Sequence, residues 1–119
     1  MKKFLRSFAN GIAGLAHVAR SEVNMRWHLL AAVVVIAAGA FFQITSVEWA
    51  VVVGVIGVML ALECLNTAIE RLADRVTEQQ DPLIRQVKDA AAGAVLVMSI
   101  SAAVIGFVIF WPKIIALLQ

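Results

Sequence analysis

Three stretches without a single charged side chain decide what this chain can become. Leu29 to Val47 runs for 19 residues, Trp49 to Leu62 for 14 and Ala90 to Pro112 for 23. A helix rises about 1.5 Å per residue, so roughly 20 residues cross the ~30 Å hydrocarbon core of a bilayer. The first and third runs reach that length alone. The middle run reaches it if its helix continues through Glu63 to Asp74, with those polar groups facing protein or the interface. Of the 119 residues, 62% are apolar and 15% charged, and mean hydropathy is +0.92. So little polar surface cannot cover a soluble body this small. The chain therefore reads as one all-α integral membrane domain over residues 1–119. Its single cysteine, Cys64, excludes an internal disulfide framework and a four-cysteine metal site. A net charge of +2, mixed with acids, gives no reason to expect a nucleic-acid partner.

The pattern predicts a surface helix over 4–28 and a first transmembrane helix over 29–47. A second follows over 49–74 with a polar extension, and a third helix over 82–112. From Phe4 to Arg20 the apolar residues Phe4, Leu5, Phe8, Ile12, Leu15, Val18 and Ala19 share one helical face, about 140° wide. Lys3, Arg6, Asn10, His17 and Arg20 take the other, the pattern of a helix lying on an anionic membrane surface. The long apolar run begins only after Asn10, His17, Glu22 and Asn24, too late and too polar a start for a cleaved leader. Asp81 before Pro82 fits an N-cap and a first helical position. Arg and Lys gather before the first span and between the second and third. The positive-inside rule therefore expects a cytoplasmic N-terminus and 75–88 loop, with the C-terminus outside.

The polar residues inside this apolar frame are the informative ones. On a helix, Glu63, Asn66, Glu70 and Asp74 fall within a stripe about 80° wide over three turns. Carboxylates beside hydrocarbon are costly unless they are paired, protonated or bound to a cation. Such a stripe therefore points to a cation or catalytic site before a purely structural one. Glu22, on a continuous helix, shares the phase of Phe4 and turns away from water. Lys88 and Asp89 stand at the entrance to the third span, where both can meet the stripe. Oxygen ligands without a cysteine or histidine cluster favour Mg²⁺ over zinc. An ion channel or transporter is the alternative, since intramembrane acids also mark ion paths. The far halves of the spans carry no matching acid. A non-enzymatic assembly protein, using Glu63, Asn66 and Glu70 for helix contacts, is the other alternative.

Glu63-Cys-Leu-Asn66-Thr-Ala-Ile-Glu70, followed by Asp74, resembles the signature of the small prokaryotic diacylglycerol kinase and undecaprenol kinase family. Lys88-Asp89-Ala-Ala-Ala-Gly93 is similar to its second motif, and Arg20-Ser-Glu22-Val-Asn24-Met-Arg26-Trp-His28 to its N-terminal one. The resemblance covers about residues 6–112. It implies a homotrimer in the prokaryotic inner membrane, with a surface helix and three spans per subunit. Sites would lie between subunits, with ATP as donor and Mg²⁺ as cofactor. Glu63 would be the general base toward the lipid hydroxyl, and Asn66 would position the reacting groups. Glu22 and Glu70 would hold Mg²⁺ against the ATP phosphates. Lys88 would contact the transferred phosphate, and Asp89 would orient that lysine or the nucleotide. Asn10 and the loop residues Gln79, Gln80 and Asp81 would be further nucleotide contacts.

Asp81-Pro82-Leu83, Asn24 with His28, and the Asp89–Gly93 run look closer to the undecaprenol kinase branch; diacylglycerol is the alternative acceptor. His28, at the interface, either anchors the helix end or touches the lipid headgroup. Arg71 departs from the small residue common at that family position. It lies 100° around the helix from Glu70, facing solvent or altering headgroup or nucleotide contacts. Cys64 is likewise 100° from Glu63 and reads as packing, as do Met25, Met59 and Met98. His17 falls on the wet face of the surface helix.

Overall fold

The computed structural model describes residues 1–119, all of it helix and short connections. Four helices follow in order: α1 (Lys2–Ser21), α2 (Val23–Phe41), α3 (Ser46–Val76) and α4 (Pro82–Leu118). The last three are long and apolar enough to cross a membrane. At 1.5 Å per residue they measure about 29, 46 and 55 Å, so α3 and α4 exceed the hydrocarbon thickness and carry polar overhangs.

The helical path does not run unbroken through residues 4–28. It breaks at Glu22, whose φ of −105° and ψ of 122° are extended. Neither proline nor glycine stands at the break. The Ser21 hydroxyl donates back to the Val18 carbonyl at 3.4 Å, a side-chain bond that competes with helix propagation. Arg71 of α3 then holds Ser21 and Glu22 from outside the helix. Along α1, Phe4, Phe8, Ile12 and Leu15 stand exposed.

The α2–α3 turn is tight. Gln43 takes a φ of 50°, and the Ile44 N–H donates to the Gly39 carbonyl at 3.1 Å. A side chain at Gly39 has no room, because a Cβ there would lie 2.8 Å from Trp49 Cη2 and 3.0 Å from Ile44 Cδ1. Gly54 and Gly57, by contrast, face open space. Thr45 opens α3 with a reciprocal cap: its hydroxyl accepts from the Glu48 N–H at 3.2 Å, and the Glu48 carboxylate accepts from the Thr45 N–H at 2.7 Å. Lys113 of α4 donates to the same carboxylate at 2.8 Å. The core sits at this end of the bundle, where Ile44, Val52 and Ile109 are buried against Val35, Phe42, Trp49, Ile56, Ile105 and Phe110. At the opposite end Asp81 starts α4 by accepting from the Leu83 and Ile84 N–H groups at 2.8 and 3.2 Å, with Pro82 in the first turn.

Only 10 of 119 residues are buried, and the chain measures 58 × 43 × 21 Å. It is a slab about two helix diameters thick.

Candidate active site

Beyond the apolar run, α3 continues for three turns as a polar ridge. Glu63 is 2% exposed and Thr67 3%; Asn66 and Glu70 are half-buried, and Asp74 is exposed. The Asn66 amide donates to Glu70 Oε1 at 3.5 Å. Glu63 Oε2 and Asn66 Oδ1 are buried and have no hydrogen-bond partner within the chain. Buried acceptors are seldom left unpaired. The two stand one turn apart on α3, each with an acceptor open to a donor from outside the chain.

α2 and α4 close around this ridge. His28 Nε2 lies 3.8 Å from Glu63 Oε2, beyond a hydrogen bond but close enough for a small group to bridge the two. The charged or ionisable groups whose fields reach Glu63 are His28, Glu22 and Glu70. His28 is also the polar end of an otherwise apolar cavity of about 120 Å³ between α2, α3 and α4, with Ala32, Val35, Met59, Leu60 and Ile105 among its walls.

Glu22, in the α1–α2 break, accepts from Arg71 at 3.2 Å and from Ser21 Oγ at 3.2 Å. Lys88, in the second turn of α4 ahead of its apolar run, donates to Asp74. That bond pushes the Lys88 ammonium above its ordinary range; partial burial opposes the shift, and the charges of Asp74 and Glu70 add to it. Below this pair the α3–α4 connection forms an open polar hollow of about 790 Å³. Gln79, Gln80, Asp81, Arg85 and Lys88 line it.

Two expected site residues lie apart from this set within the chain. Asp89 is exposed and faces Arg85 at 3.9 Å, 100° around α4 from Lys88. Asn10 is exposed on α1, eleven residues and about 16 Å along the helix from Ser21. Ser21 and Arg71 are the contacts that the motif pattern does not place in the site. The phase of Arg71 leaves both solvent and a headgroup or nucleotide contact open, and no local signal reveals a partner 49 positions away.

No three carboxylate, histidine or cysteine groups gather as a cage for a metal. The donor set still suits Mg²⁺, which is held by one or two carboxylates together with phosphate oxygens and water. Glu22 and Glu70 are such carboxylates, and the charges of both reach Glu63.

The sequence model of the family described as prokaryotic diacylglycerol kinase matches residues 9–110. The chain belongs to this family. It is 40% identical to the undecaprenol kinase of Bacillus subtilis (strain 168), over 96% of this chain and 93% of that protein. It is 32% identical to a diacylglycerol kinase of Synechocystis, over 96% of this chain and 66% of that one. A diacylglycerol kinase of Pseudomonas aeruginosa is 31% identical over 79% and 76%. Family membership makes the chain an integral membrane lipid kinase and removes the channel and assembly-protein alternatives.

Proposed function

We propose that this kinase transfers the γ-phosphoryl group of ATP to the hydroxyl of undecaprenol, giving undecaprenyl phosphate. The likeness to the Bacillus enzyme supports the acceptor. The carrying observation is the buried, unpartnered Glu63 carboxylate oxygen facing His28 where the apolar cavity ends. An alcohol entering there donates its hydrogen bond to Glu63 while its tail stays among apolar side chains. Glu63 takes the hydroxyl proton as the alcohol oxygen attacks the γ-phosphorus, and the bond to the ADP oxygen breaks. Asn66, which donates to Glu70, positions the reacting groups. His28 orients the hydroxyl. Lys88 turns from Asp74 to the transferred phosphate, with Asp89 orienting that lysine or the nucleotide. Gln79, Gln80, Asp81 and, from α1, Asn10 contact the nucleotide. Glu22 and Glu70 hold Mg²⁺, which compensates phosphate charge when bound.

The functional unit is a homotrimer in the inner membrane, with sites between subunits, α1 on the cytoplasmic leaflet and the C-terminus outside. The thin slab and sparse core support a neighbour's contribution. The exposed apolar edge of α1 beside Lys2, Lys3 and Arg6 supports its surface role. Purified protein in mixed micelles, given labelled ATP and Mg²⁺, should phosphorylate undecaprenol in preference to diacylglycerol. Preference for diacylglycerol would move the assignment to phosphatidic acid synthesis. No transfer to either lipid by folded protein would refute it.

A further inference from the structure

The motif residues leave one long-range contact unused, the reach of Arg71 from α3 to the α1–α2 break. Its guanidinium meets Ser21 Oγ and Glu22 Oε1 together. It is the cation on Glu22, a carboxylate proposed above for Mg²⁺, while Lys88 sits in the same way on Asp74 at the end of the ridge. Both cations are thus paired with carboxylates at the edge of the proposed phosphate path. A guanidinium offers five donors in a fixed fork, which matches phosphate as well as carboxylate. The Arg71 and Glu22 side chains remain 41% and 32% exposed, so exchange of partners is sterically open, and an exposed pair of this kind is weak.

We infer that Arg71 is a nucleotide-binding residue that exchanges partners: it holds Glu22 in the free enzyme and moves to the ATP phosphates when nucleotide arrives, which frees Glu22 for the metal. The exchange conserves charge. Arg71 leaves one anion for another, and the carboxylate it releases gains the divalent cation that accompanies the phosphates. Arg71 is 100° from Glu70 on the same turn of α3, so its long side chain can swing between the Glu22 and Glu70 sides without any backbone change. The inference rests on the kinase reading above and on Glu22 as a metal ligand.

Binding of trinitrophenyl-ATP, followed by fluorescence with and without Mg²⁺, tests it without turnover. Without Mg²⁺, Arg71→Gln should bind about tenfold more weakly than wild type, and Arg71→Lys should recover part of the loss. Glu22→Gln breaks the same ion pair but leaves the guanidinium free, so its Mg²⁺-free affinity should match or exceed wild type. With Mg²⁺ present, Glu22→Gln should lose the gain that the metal gives wild type. If Arg71 only tethers helices, both glutamine variants will shift binding and thermal midpoint in the same direction, and the inference falls. Unchanged nucleotide affinity in Arg71→Gln also overturns it while leaving the kinase reading intact. Wild-type protein that binds no nucleotide would take both down.

Discussion

Replacing Glu63 by glutamine separates chemistry from folding at this site. The carboxylate is 2% exposed, its Oε2 has no hydrogen-bond partner, and the nearest basic group, His28, is 3.8 Å away. The amide therefore forfeits no hydrogen bond that the carboxylate makes through that oxygen. Its new N–H₂ can donate to Asn66 Oδ1, itself unpartnered one turn along α3. A hydrogen bond of that kind contributes about 1 kcal/mol, and removing a buried unpaired charge acts in the same direction. Glu63→Gln should therefore unfold at or above the wild-type midpoint. Its phosphoryl transfer should nevertheless fall at least about 10²-fold, the usual contribution of a general base, or roughly 2.7 kcal/mol of barrier. The assay is single-turnover transfer from labelled ATP in mixed micelles at saturating lipid and nucleotide, alongside a thermal melt of the same preparation. Turnover within about threefold of wild type would remove Glu63 as base. A lowered midpoint would mean that the carboxylate has structural partners supplied by a neighbouring subunit.

Lys88→Ala should cut kcat/KM for ATP by about 10-fold or more, as expected for a phosphate-binding cation, with little change in melting because its partner Asp74 is 65% exposed. Gly39→Ala forces a Cβ to within 2.8 Å of Trp49, so its melt should show a loss of about 1–3 kcal/mol, with ATP affinity unchanged. Glu48, in the first turn of α3 outside the apolar runs, is held below its usual 4.5 chiefly by the Lys113 hydrogen bond and next by the Thr45 N–H. A depressed carboxylate stabilises the fold above its unfolded pKa and loses that effect as pH falls through the folded one. The wild-type melting midpoint should therefore drop below pH 4.5, and this component of the drop should be absent in Glu48→Gln, as a pH series of melts would reveal.

The spans were legible because hydropathy over about 20 residues is a collective signal that no single contact can override. The start of α4 was legible because Asp81 and Pro82 act on their own backbone neighbours. The shared face of Glu63, Asn66, Glu70 and Asp74 followed from helical periodicity, whereas the unpartnered Glu63 Oε2 and Asn66 Oδ1 are visible only in the packed chain. Long-range pairing was not legible. The break at Glu22 contains neither proline nor glycine, and its contact with Arg71 spans 49 positions of sequence, which no local pattern announces. Lys88 and Asp89 are neighbours in sequence yet diverge on α4, one to Asp74 and the other to Arg85. Chain periodicity assigns each residue a face; packing decides which faces meet.

The reciprocal Thr45–Glu48 cap, pinned by Lys113, anchors α3 at one end of the bundle. Glu63 lies 18 residues beyond Thr45, about 27 Å along the axis, close to the thickness of the hydrocarbon itself. α3 is thereby a ruler whose zero mark is the cap and whose far mark, at Glu63, lies about one hydrocarbon thickness away. A thicker bilayer would draw the carboxylate ridge into oil, and a thinner one would lift it clear of the hydrocarbon. With Glu63 as the proposed base, transfer should therefore vary with acyl-chain length, which an assay in bilayers of graded thickness would show.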